Sequence, residues 1–432
     1  MQNKILRKGL VVGIIILFIG VNNVTGFNTQ LKEIKKSNRD NYLYVGGSGP
    51  ENYTTIKSAV DNATNGTTVF VYDDSAPYCE NIEIDKSISL IGESKYTTIV
   101  DGNGTTIFRI LADNVRIMDF YIQNSDARGM RIYSDFNNIS NNIFYDVTEG
   151  LEFTNSNNNI VYRNTIKGVY HSYGIKLAPS ENNIISENNL QNEYHVGISL
   201  SDGSSNNTIS NNILNGSYYR GISIYSSNNM ITKNYITRGG GQSGGSGGGI
   251  ICDAGVNNFI KNEVSYCNMG MYITASSCNI KNNIIVNNYN HAILLLGDNN
   301  YISGNIINEN KQRSVIIFGG SFNKVINNAF INNSNWDALI LIGGSRNIIE
   351  KNNFIGNDGD AHFDTSWGNR WNKNYWDECI GGIYLINGFW EIYKPYIEDP
   401  VRTIYYFNVD LRPARKPYKI PDTSFIQGCG IE

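Results

Sequence analysis

An excess of charge of either sign is the first thing this sequence lacks. Its 432 residues carry 35 Lys and Arg against 39 Asp and Glu, a formal net charge of −4, and the basic residues are scattered. That distribution leaves no electrostatic footprint for nucleic acid and no polybasic patch for a membrane surface. Long hydrophobic runs are scarce as well. One apolar stretch, Leu10 to Val21, follows Lys4, Arg7 and Lys8 and precedes Val24-Thr25-Gly26. It is short for a bilayer span, and Val24 and Gly26 suit the −3 and −1 positions of a cleavage site. Residues 1–26 therefore read as a signal peptide, with an uncleaved N-terminal anchor as the alternative and the sole expected link to a membrane. The mature chain is expected to be secreted, periplasmic or at the cell surface. Cys-x-x-Cys spacing is missing, which removes the simplest metal and redox motifs, while six cysteines fit an oxidising compartment. Cys379 and Cys429 bracket the C-terminal region and form the preferred disulfide, whose closure would contribute about 4 kcal/mol in the chain-entropy account.

Asparagine is what the sequence has in abundance, at about 15% of residues. It belongs to two phrases that alternate along the chain. One is Gly followed by alternating apolar residues: Gly129-Met130-Arg131-Ile132, Gly150-Leu151-Glu152-Phe153, Gly174-Ile175-Lys176-Leu177, Gly197-Ile198-Ser199-Leu200. Later copies replace the Gly by Ala292, Ser314, Ala338 and Ala361. The other is Asn-Asn followed by a short apolar strand and a further Asn, as in Asn206-Asn207-Thr208-Ile209-Ser210-Asn211-Asn212-Ile213. Both alternate with period two, the geometry of strands. Strands this short cannot form an independent sheet, so they must pair with equivalent strands about 4.8 Å above and below. About eleven such coils of roughly 23 residues predict an all-β solenoid, a right-handed parallel β-helix. Asn suits its corners because it tolerates left-handed backbone and can hydrogen-bond to the Asn one coil on, where stacked aspartates would repel.

The ends of such a stack need covers. Tyr53 to Val60 reads as a short amphipathic capping helix, and residues from about 377 leave the Asn rhythm for a Trp-, Tyr- and Pro-rich segment. The expected organisation is thus a signal peptide (1–26), a β-helix domain (41–376), and a C-terminal cap and tail (377–432).

Tyr78-Cys79-Glu80-Asn81-Ile82-Glu83-Ile84-Asp85-Lys86-Ser87-Ile88-Ser89-Leu90-Ile91-Gly92, with Thr98-Ile99-Val100-Asp101-Gly102 after it, resembles the opening of pectin-lyase-like β-helix proteins. With the Asn-Asn repeats and Asn374-Tyr375-Trp376 it is most similar to the NosD-type group and its archaeal and bacterial surface relatives. The resemblance spans roughly residues 41 to 410 and speaks to fold rather than chemistry. It implies a superfamily holding polysaccharide lyases, polygalacturonases, epimerases, sugar-binding surface proteins and copper-accessory proteins. The polygalacturonase signatures Asn-Thr-Asp, Gly-His-Gly and Arg-Ile-Lys are missing, so no activity carries over.

Aligning the coils on the Gly of the first phrase gathers aromatic and histidine residues just before it. They are Tyr170, His171 and Tyr173; Tyr194 and His195; Tyr218, Tyr219 and Arg220; Tyr266; Tyr289 and His291; and Trp336. Stacked coils turn such a column into a surface stripe suited to sugar rings, and the Gly239–Gly249 insertion falls at the same corner. This predicts a polysaccharide or surface-glycan partner. Carboxylates share the corner: Asp126, Glu149, Asp337 and Asp360. Asp337 and Asp360, with His362, are the candidate acid/base set if the protein is instead a polysaccharide lyase, hydrolase or epimerase, and Arg128 or Arg220 would steady a uronate. Cys252, Cys267, Met269, Met271 and Cys278 are soft donors within two coils, the motive for a copper-accessory alternative. A structural envelope component is the remaining reading. No cofactor is evident; Ca²⁺ accompanies the lyase alternative and copper the NosD-like one. Oligomeric state is not legible.

Overall fold

The computed structural model describes residues 41–169, 172–191, 195–240, 247–379, 382–392 and 402–419. The chain divides between Tyr42 and Leu43, and the architecture is that of the second unit, Leu43–Glu432. Each coil lays three short strands around a shared core, and equivalent strands of successive coils pair in parallel. The first sheet has 15 strands in strict coil order, ending at Arg370–Asn372; the second gathers strands such as Ile213–Asn215 and Tyr235–Thr237, and the third strands such as Val196–Leu200 and Arg220–Ile224. In Met230–Thr232 only Ile231 faces inward, and in Arg220–Ile224 the inward residues are Ile222 and Ile224. Parallel register then builds continuous apolar columns such as Ile198, Ile222, Ile250 and Met271, all fully buried. The predicted parallel β-solenoid is the observed fold.

The paired asparagines divide two tasks between them. The first of each pair takes left-handed backbone, with φ of 57° at Asn182 and 59° at Asn206. The second is buried and stacks. Asn159, Asn183 and Asn207 donate their backbone N–H to the Oδ1 of Asn183, Asn207 and Asn229, at 2.8, 2.8 and 2.9 Å. A second ladder, at the corner between the first and second sheets, runs unbroken from Asn142 to Asn374. In it Asn164 Nδ2 also donates to Ile139 O at 2.8 Å and to Asn188 Oδ1 at 3.1 Å. Donor and acceptor ends of each amide are both used, which an ionised Asp cannot reproduce.

Sulfur enters the same scheme. Cys278 stands in the first ladder before Asn300, to whose Oδ1 its N–H donates at 2.7 Å. Cys267 heads a third, shorter ladder: its N–H donates to Asn288 Oδ1 at 3.0 Å, and its Sγ accepts from Gly239 N at 3.3 Å. Cys252 lies in an inner apolar column between Ile224 and Ile273. Among the described residues no three His, Cys, Asp or Glu side chains gather as a metal cluster.

Helix α1 (Ile56–Asn62) covers the N-terminal end and buries Ile56, Ala59 and Val60. It begins later than Tyr53, because Tyr53 bridges Val45 in parallel and extended Thr55 is the N-cap. The Glu80 carboxylate accepts from the N–H groups of Ile56 (2.8 Å) and Lys57 (2.7 Å), two donors a helix start leaves free. At the other end the parallel rule breaks. Strand Tyr384–Ile392 follows Gly359–Asp364 in parallel, then pairs antiparallel with Arg402–Asp410 as a hairpin. Tyr384 lies flat on Trp376 at 4.1 Å, extending a stack through Phe354 (4.2 Å) and Phe330 (4.7 Å). Asp410 ends the second ladder, accepting from Asn374 N at 2.8 Å, Asn374 Nδ2 at 3.1 Å and Lys373 N at 3.0 Å. Of the expected Cys379–Cys429 disulfide, Cys429 lies outside the described residues.

Candidate functional site on the third sheet

Between the inward residues of each third-sheet strand sits one outward side chain. Register lines these into a column: Glu83, Arg109, Arg131, Glu152, Lys176, Ser199, Ser223, then Ile251, Tyr272, Leu294, Ile316, Ile340 and His362. The column is thus charged over the early coils, hydroxylic at two, and mostly apolar from Ile251 to Ile340 before His362; Glu152, Ser199, Ser223, Ile251, Ile316 and Ile340 are buried under neighbouring side chains.

The charged part is a connected network. Glu152 Oε2 lies 2.6 Å from Arg128 Nε and 2.9 Å from Arg131 Nε, and its Oε1 lies 3.4 Å from Lys176 Nζ. Arg128 Nε also lies 2.7 Å from Glu149 Oε2, and Ser172 Oγ donates to Glu149 Oε1 at 2.9 Å. Arg109 pairs with Glu83 at 2.9 Å. Aromatic rings flank the charges: Arg131 sits over Tyr133 at 4.9 Å and Lys176 over Tyr173 at 5.1 Å. Arg131, Glu152 and Lys176 were readable as the polar beat inside Met130-Arg131-Ile132, Leu151-Glu152-Phe153 and Ile175-Lys176-Leu177. They follow the glycine and so lie outside the aromatic column that precedes it.

The glycine itself is there because coils approach closely. A Cβ on Gly174 would stand 2.7 Å from Gly197 O and 2.8 Å from Leu190 Cδ2. In the column just before it, Tyr173 registers with Val196, Val196 with Arg220 and Arg220 with Gly248. One residue earlier, His195 and Tyr219 stack face to face at 5.0 Å. Arg220 lies over Tyr219 at 4.9 Å and reaches Ser223 Oγ (3.1 Å) and Asp253 Oδ2 (3.3 Å). Tyr218 is exposed beside them. Gly248 then interrupts the stripe.

Past it, the aromatic residues pair with cations instead of with each other: Tyr289 with Lys311 at 4.9 Å and Trp336 with Arg313 at 4.7 Å. Tyr266 sits at a left-handed corner with φ of 53°. His291 Nδ1 lies 3.2 Å from Arg313 O, and burial pushes its pKa down. Tyr170, His171 and Tyr194 lie outside the described residues.

The expected carboxylates occupy adjacent coils at different places. Asp337 registers with Gly359, and burial raises its pKa against the opposing influence of His362 and Arg313. Leu339 registers with Ala361, so the residue in the glycine column is Asp360 and not Ala361. The repeat had drifted by one there, with neither Gly nor Ser to mark the phase. Asp360 accepts from Tyr384 Oη at 2.9 Å and from Asn357 Nδ2 at 3.4 Å. Burial beneath the terminal hairpin pushes its pKa up to about 6. His362 lies 5.5 Å from the Phe389 ring.

The right-handed β-helix region family matches residues 67–229 and 203–330. No curated protein matches the sequence. Among solved structures, a mannuronic acid specific polysaccharide family 6 lyase from human gut microbiota is 13% identical, with TM-score 0.53, over 69% of this chain and 84% of that one. The Dettilon tailspike protein is 14% identical, with TM-score 0.48, over 75% and 68%. The catalytic domain of a GH87 α-1,3-glucanase in complex with nigerose is 12% identical, with TM-score 0.41, over 78% and 70%. At such identities the likeness to the lyase is one of fold.

Proposed function

The chain belongs to the right-handed β-helix family, and on that premise we propose that it is an exported protein that binds polysaccharide along the outward face of its third sheet. The observation that carries this reading is the row of charged and aromatic groups from Arg128 to Tyr219. Within it, the Arg128–Glu152–Lys176 network and the His195–Tyr219 stack lie on neighbouring coils. Aromatic faces take the C–H side of a sugar ring, and charged side chains make the stronger hydrogen bonds to hydroxyl and carboxylate groups. The rungs repeat about every 4.8 Å, so an extended chain can contact several coils in succession. A fold relative named for mannuronic acid supports the same reading. Export rests on the pattern of residues 1–26.

The test is incubation with neutral and uronic polysaccharides, with and without Ca²⁺, scoring retention and chain cleavage together. Retention without cleavage is expected. Arg131→Ala with Tyr219→Ala should weaken retention about 10-fold or more while leaving the melting temperature within a few degrees. Equal retention by that variant would overturn the assignment to this face. Cleavage would replace binding by a lyase or hydrolase reading.

A further inference from the structure

The two ends of the solenoid are finished differently. Helix α1 covers the first coils, whereas the last sheet ends on the strand Arg402–Asp410, and among the described residues no strand pairs with its second edge. Natural edges are guarded by proline, lysine, bulges or shortness. Arg402–Asp410 has no proline, lysine or bulge and its two charges stand at its ends: nine residues pair with Tyr384–Ile392 without a break in register.

One face of this hairpin is committed to the solenoid. Tyr406 packs on Phe363 at 4.6 Å and donates its hydroxyl to Ser366 O at 2.6 Å, and Asp410 terminates the Asn ladder. The other face is apolar and open. Leu385 is 54% exposed, Tyr405 79%, Phe407 61% and Val409 39%, with Ile383 and Leu411 exposed beside them. Monomeric surfaces seldom leave so many large apolar side chains together.

We propose that two copies of this chain join tail to tail through antiparallel pairing of Arg402–Asp410 with its counterpart. The strand complements itself. Centred on Tyr406, the pairing sets Tyr405 against the partner's Phe407 and Thr403 against the partner's Val409, all on the open face. Cross-strand pairs of aromatic and β-branched residues are the favourable kind. A two-fold pairing is closed, so it consumes both free edges and stops at two copies. Edge pairing supplies hydrogen-bond partners along the outer edge of all nine residues and brings Tyr405, Phe407 and Val409 of the two copies side by side, while Leu385 on the inner strand stays outside the contact.

The experiment is light scattering and sedimentation of the full chain between about 1 and 100 µM. A concentration-dependent dimer is expected, and Tyr405→Lys with Phe407→Lys should shift it to monomer with unchanged circular dichroism. Register is tested by Thr403→Cys combined with Val409→Cys. These positions lie about 20 Å apart within one strand, too far to bridge each other, but face across the two-fold. Oxidation should yield a covalent dimer from the double variant and not from either single one. A wild-type monomer throughout the range, a dimer that survives the lysine pair, or a dimer that fails to cross-link would each overturn the proposal.

Discussion

At the scale of single residues, the Asn-Asn pair separates a backbone requirement from a side-chain requirement, and each can be probed alone. Lys233, at φ of 56°, fills the left-handed position that Asn fills at 141, 211, 282 and 327 and Gly at 304. Left-handed backbone costs an ordinary residue about 1–2 kcal/mol, so Lys233→Asn should raise stability by about 0.5–1 kcal/mol in a denaturant titration. The buried partner behaves oppositely. Asn212→Ala would strand the backbone N–H of Asn188, now bound at 2.9 Å, and remove the side-chain bond to Ile185 O, at a cost of about 1–3 kcal/mol. Asp360 adds a pH dependence. Its pKa is raised from the ordinary value to about 6, so the folded state holds the proton more tightly than the unfolded chain does. Stability should therefore fall as pH rises from about 4 to 6, by up to about 3 kcal/mol, and level off above. Asp360→Asn should flatten that slope and raise the melting temperature at pH 8; an unchanged profile would locate the titration elsewhere.

At the scale of elements, the strands and inner columns were legible because period two and a recurring Asn beat survive in nearly every coil. The left-handed corners were legible for the same reason. Three things were not. The start of α1 depended on Tyr53 bridging Val45, a pairing that no local pattern announces. The phase of the last repeats was lost where Asp360 replaced a small residue. The terminal hairpin reverses strand direction, which the loss of the Asn rhythm after about residue 377 does not announce. At the candidate site, the Tyr and His residues before the glycine were visible but their continuity was not, since Gly248 breaks the register of Arg220 with Met269. One of the joins between the hairpin and the coils is the stack of Phe330, Phe354, Trp376 and Tyr384. Trp376→Ala should cost about 3–5 kcal/mol, and the loss should be local because each coil meets only its neighbours. Hydrogen exchange should then show reduced protection after about residue 350 and little change in the early coils; uniform loss would mean that the solenoid unfolds as one unit.

At the scale of the whole solenoid unit, one face changes character along its length, from the ion network through Ser199 and Ser223 to the apolar run beginning at Ile251. That gradient gives otherwise similar coils distinct surfaces without disturbing the ladders beneath. The ladders themselves have a direction. Every Asn in the second one both gives and receives, while Asp410 only receives, so it acts as a chain stopper does in a growing polymer. Length is then an integer variable: coils can be gained or lost upstream in whole numbers while the stopper stays valid. Excising residues 207–228, one repeat by the 22-residue step from Asn207 to Asn229, should leave a folded solenoid about 4.8 Å shorter by small-angle scattering. On this view, the gene can lengthen or shorten the protein by recombination between like repeats, with a single carboxylate keeping every product properly finished.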